Sequence, residues 1–307
     1  MASATDLAGD GGNSAGFKFD AKQGIKLLVY SLLLVNFVGY INNDITIASH
    51  TAHAGWNWSD WTRAFATTLD ESAWFILLLL LELETYLLSD EAFTKTRVRV
   101  MHGLRLVCFL AIGHTVFAFS DALLDLNKAV FHTDTTLCAF ADQGLSFARN
   151  LDYAELDASN CLTLSADSSF YQFSQNQVLT DRAGMSVEWG LAWVDLIEVL
   201  LWLLILLMIE VMVRLQEKGI TGGPVRRFAK GFKAVLYLGL WGCAAYWGAQ
   251  GHWLFVWDEA LWILGFMAIG MNLSDWRKEL EAEAAAKSPS DDQTRTQPSS
   301  NPGTVGT

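Results

Sequence analysis

The chain has 307 residues, 52% of them hydrophobic, with 13 tryptophans and a formal net charge of −12 at pH 7. The apolar residues fall in blocks of membrane-spanning length, which argues against two soluble domains and for one integral membrane domain. Lys and Arg flank those blocks instead of forming a basic stripe, which argues against nucleic acid as a partner, and no Walker loop, dinucleotide fingerprint, nucleophile elbow or Cys–His zinc pattern occurs.

Residues 1–20 are small and polar, lack the apolar core of a signal peptide, and read as a disordered cytoplasmic tail. The first span is predicted at Lys26–Ile41, with Asn36 as a mid-membrane group suited to bonding across helices. An outer segment follows, in which His50 and His53 stand at i, i+3 spacing. The second span, Ser72–Leu88, lies in "DESAWFILLLLLELETYLL" and carries Glu82 and Glu84 inside an otherwise apolar run. Each such carboxylate costs about 2.5–3.5 kcal/mol on an insertion scale.

The third span, Gly103–Leu126, places His114, Asp121 and Asp125 on one helical face by their spacing of seven and four. A long outer loop, 127–188, holds Cys138 and Cys161, the two cysteines outside the apolar runs, which are expected to pair in an oxidising compartment. The fourth span, Trp189–Val213, contains Asp195, Glu198 and Glu210. The fifth, Lys233–Gly248, is rich in small residues suited to packing against Gly265, Ala268 and Gly270 of the sixth, Trp253–Leu273. Residues 21–280 thus form the transmembrane domain, and 281–307 a second disordered cytoplasmic tail.

Lys and Arg collect before the odd-numbered spans and after the even-numbered ones, which places both termini in the cytoplasm and loop 127–188 outside. The odd spans begin alike, as "GIKLLVY", "GLRLVCF" and "GFKAVLY". The even spans share an acid four residues before a Trp: Asp70 and Trp74, Glu198 and Trp202, Asp258 and Trp262. The expected fold is therefore an all-α integral membrane protein of six helices arranged as three repeated hairpins, with one long outer loop.

The acids admit two readings. Asp70, Glu71, Asp258 and Glu259 suit helix N-termini, Thr68 to Glu71 having capping-box form; they also suit an acidic ring around an outer entrance. Glu82, Glu84 and Glu210 lie near the cytoplasmic helix ends, where the dipole disfavours a carboxylate, so a packing role beside Arg105 or Lys26 competes with an ion path. Asp121 and Glu198 come to similar heights, with Asp195 one turn further out and His114 in the middle. These residues predict a channel or transporter for a small cation, the proton included. The alternative is an accessory subunit whose polar groups hold a partner helix or a second copy. An enzyme is the weakest reading, no cofactor is evident, and the sequence assigns no metal. The two leading readings differ in whether the acids point into a cleft or outward along one flank.

Overall fold

The apolar blocks fold into long helices. The computed structural model describes residues 21–83, 94–173, 177–217 and 223–266. Two compact units are distinguished, Met1–Leu261 and Trp262–Thr307, the second described only at helical residues 262–266.

Helix α1 (Ala21–Thr51) runs well past the expected end at Ile41. The polar string "NNDITIASHT" continues it because Tyr40, Asp44, Ala48 and Thr51, at helical spacing, share one buried face. His50 is accordingly a helical residue of the last turn. Helix α2 (Trp58–Ala64) opens on a capping box. The Asn57 side chain accepts from the Ser59 N–H (2.7 Å), and Asp60 accepts from the Asn57 N–H (2.8 Å). The chain then bends by 70° into α3 (Ala66–Glu82). The capping box expected at Thr68 to Glu71 is absent, since α3 begins earlier and Thr68 donates to Asp44 instead.

Helix α4 (Lys95–Asn127) packs on α3 and on α6 (Arg182–Glu217), and α6 packs on α7 (Pro224–Ala249). A further helix, α8, covers 253–266. Among the described residues, three helices are long and apolar enough to cross a membrane: Leu27–Thr51, Lys95–Asn127 and Arg182–Ile209. The bent pair α2–α3 would make a fourth. The expected ends of the second span at Leu88 and of the sixth at Leu273 lie outside the described residues, as do both tails, Ala268 and Gly270.

The all-α expectation is corrected at 127–188. This insertion is a small stapled fold with a mixed sheet in the order β1-β4-β5-β2-β3: β1 Val130–Thr133, β2 Ser146–Arg149, β3 Asp152–Glu155, β4 Ser169–Gln172 and β5 Val178–Asp181. β2 and β5 run parallel and the other neighbours antiparallel. The β2–β3 hairpin turns on Asn150 and Leu151, both at positive φ (56° and 63°), the geometry that matches strand twist in a two-residue loop. The central strands β2 and β5 are buried on both faces, whereas the edge strands β1 and β3 are largely exposed. One face carries Leu145, Phe147, Phe170 and Leu179; the other packs Ala148, Val178 and Met185 against Leu126 of α4 and Trp189 of α6. The expected disulfide joins Cys138, in a short 3-10 helix (Leu137–Phe140), to Cys161 at the start of α5 (Cys161–Leu164).

Small residues let α6 and α7 approach closely. A Cβ added at Gly239 would lie 2.9 Å from Leu201 Cδ1, whereas one at Gly242 would meet nothing within 4 Å. The small-residue face of α7 therefore serves α6, a partner that the sequence reading did not assign it. Gly239→Leu is expected to lower stability in detergent by about 1–3 kcal/mol through overpacking, despite leucine's better helix propensity. Gly242→Leu is the control and should leave the thermal transition unchanged or raise it. Equal melting of the two variants would refute this packing.

Candidate functional site

Helical spacing on α1 sets the first part of the site. Asn36, Tyr40 and Asp44 recur every four residues and line one inward face. Asn36, at the midpoint of α1, donates from Nδ2 to Asp258 Oδ1 (2.6 Å), and the Tyr40 hydroxyl donates to Asp258 Oδ2 (3.3 Å). Next to Asp258 on α8, Glu259 is 1% exposed and accepts from the Trp202 indole N–H at 3.2 Å. Glu198 accepts from Trp247 Nε1 at 3.0 Å, and Asp70 from Trp74 Nε1 at 3.0 Å. The Trp74 and Trp202 rings meet edge to face at 5.6 Å. Acids from all three acid–Trp strings are thus gathered in one cluster, held by indole, phenol and amide donors. Such donors offset the cost of burying a carboxylate, which without them is prohibitive.

The acids expected in an outer ring lie within this arrangement. Glu71, Asp258 and Glu259 are buried and Asp70 is half-buried. Glu198 stands deep within α6, and Glu259 is in the second turn of α8.

A partly open cavity of about 280 Å³ lies beside the cluster. Five aspartates and one arginine line it: Asp44, Asp60, Asp121, Asp125, Asp195 and Arg63. Arg63 pairs with Asp60 (2.6 Å) and with Asp121, while Asp44 accepts from the Thr68 N–H (3.0 Å) and hydroxyl (2.7 Å). The Asp195 carboxylate has no hydrogen-bond partner among the described residues. Trp247 and Phe255, stacked at 4.5 Å, form part of the wall, and Trp247 is also the donor to Glu198. One indole therefore stands between the cavity and the buried acids.

The sheet closes another side of the cavity through Leu151 and Tyr153. Its hairpin is fastened by Asn150, whose backbone N–H donates to Glu188 Oε1 (3.1 Å) and whose Nδ2 donates to the Gln250 carbonyl (3.0 Å). Burial holds His252 below its usual pKa. Its neutral ring then donates from Nε2 to Asn150 Oδ1 at 2.9 Å.

Of the residues singled out in sequence, Asp121, Asp125 and Asp195 meet at the cavity and Glu198 joins the buried cluster. His114 lies against Phe117 (5.9 Å between ring centroids) and away from the cavity lining. Glu82 is separate as well, accepting from the Tyr30 hydroxyl at 2.6 Å. Glu84 and the side chains of Glu210 and Lys26 lie outside the described residues. Sequence reasoning missed Tyr40, Asp44 and Arg63. The first two were signalled by their four-residue spacing from Asn36, once α1 is continued beyond Ile41. No protein family, characterised protein or solved structure matches this chain.

Proposed function

We propose that this chain is an integral membrane protein that conducts or exchanges a small cation through its helix bundle. In this reading six spans form three related hairpins, both termini face the cytoplasm as the Lys and Arg bias directs, and the sheet insertion covers the outer side. One observation carries the reading: a cavity lined by five aspartates against one arginine shares the wall residue Trp247 with a buried cluster of carboxylates. An acidic concavity raises local cation concentration and steers cations inward, and ionisable groups at bundle depth generally mark an ion pathway. The acids point inward, which favours a path over the accessory-subunit alternative, where they would lie along an outer flank. Glu82 and Tyr30 would belong to the cytoplasmic end of such a path.

Asp195 is the most direct test, because its carboxylate lines the cavity without a hydrogen-bond partner among the described residues. Asp195→Asn keeps its shape and removes one of the cavity's negative charges. Cation flux into protein-containing vesicles is expected to fall about tenfold or more, within the range known for steering by charged clefts. Elution and thermal stability of the purified protein should be retained. Flux equal to wild type in the variant would remove Asp195 from the path, and no flux in wild type would reject the transport reading and favour the accessory subunit.

A further inference from the structure

The buried cluster contains an acceptor with no donor. Glu259 is 1% exposed; its Oε2 takes the Trp202 N–H, but its Oε1, equally buried, meets no donor among the described residues. Glu198 stands one helical turn before Trp202, the donor to Glu259, and is the acid whose charge bears most strongly on Glu259. Two carboxylates in contact repel strongly, whereas one proton between them creates a charge-assisted O–H···O bond. That proton would also satisfy Glu259 Oε1.

The surroundings fit a proton better than a metal ion. Among the described residues, the titratable groups that interact with the pair include Tyr40 of α1, Asp70 of α3, Asp195 of α6, Cys243 of α7 and Asp258 of α8. None of these is basic. Indole N–H groups occupy one oxygen of each carboxyl, which leaves the pair no bidentate grip on a metal cation without displacing them. Among the described residues, no group of three or more His, Cys, Asp or Glu is arranged to hold a metal. Access is short: Asp195 lines the cavity and precedes Glu198 by three residues on α6, so both share one helical face.

We propose that Glu198 and Glu259 form a dyad holding one exchangeable proton, and that the proton is the ion which the path carries; the second clause rests on the transport reading above. The proton passes from the cavity to Asp195, then to Glu198 and into the bond with Glu259. Each step breaks one O–H bond and forms another, and no redox partner is needed.

The experiment has two readouts on the full chain. In vesicles of phosphatidylcholine and phosphatidylglycerol with an internal pH dye and an imposed inside-negative potential, wild type should acidify the lumen. Glu198→Gln and Glu259→Gln should each slow acidification about a hundredfold, the scale on which a proton-transfer group acts, and Glu259→Asp should restore part of it. Infrared spectra of the wild type in detergent at neutral pH should show a protonated carboxyl band that shifts in heavy water and is lost in both Gln variants. Sodium or potassium flux without proton flux would overturn the dyad as carrier and leave the transport reading standing. A wild-type spectrum without that band would overturn the dyad whatever the flux. If no ion moves but the band is present, the transport reading and the proton's role as cargo fall together.

Discussion

Replacing Arg149 with methionine is expected to destabilise the protein by about 3–5 kcal/mol, more than any other single change in the sheet insertion. Asp181 is 0% exposed, and its carboxylate takes the Arg149 guanidinium, the Ser165 hydroxyl (2.8 Å) and the Gly184 N–H (2.8 Å). The last contact makes Asp181 the N-cap of α6. Methionine keeps the packing of the arginine stem but strands a buried charge, the situation in which a broken ion pair costs most. The reciprocal change is milder because the Arg149 side chain is 47% exposed and water can take over its charge. The double variant Arg149→Met/Asp181→Asn should therefore melt above Arg149→Met alone. Thermal unfolding in detergent decides the point: a double variant no more stable than the single one would show that the stranded charge is not the cause.

Loss of the Cys138–Cys161 bridge ranks next. The bridge spans 23 positions, and closing a loop of that length is worth about 3 kcal/mol through the unfolded chain. The core it staples is small, built around Phe140, Phe147, Phe170 and Leu179, and a core of that size seldom holds a fold unaided. Cys138→Ala/Cys161→Ala should lower the melting temperature and expose the β2–β3 hairpin to protease before the helices are cut. Because Leu151 and Tyr153 form one wall of the cavity, cation flux should change under the same conditions. A double-alanine protein with unchanged melting and protease resistance would contradict both the energetic and the positional argument.

The parts legible in the sequence were those with a local or combinatorial cause. Long apolar runs announced the helices around α1, α4 and α6, and the pairing of Cys138 with Cys161 followed from compartment and count. The end of α1 was hidden because Asp44 looks like a loop residue until Thr68, distant in sequence, supplies its hydrogen bonds. The sheet was hidden because its strands are four residues each, too short for a clear period-two pattern, and are set by pairing across the insertion. Asp258 and Glu259 were read as caps or rim because their partners, Asn36, Tyr40 and Trp202, come from other helices. In two of the acid–Trp strings the Trp, Trp74 or Trp202, brings a neutral donor into a region that cannot hold many charges.

The joint between β5 and α6 has a mechanical consequence. The strand ends at Asp181 and the helix begins at Arg182, so no slack lies between them. A continuous helix behaves as a stiff rod over such distances, and Glu198 lies about 24 Å along it. A push or twist applied to the sheet therefore loads α6 as a lever instead of dissipating in a linker. A tilt of only a few degrees at the joint would sweep the Glu198 carboxyl by about an ångström at that radius, the scale on which its bond to Trp247 is made or broken.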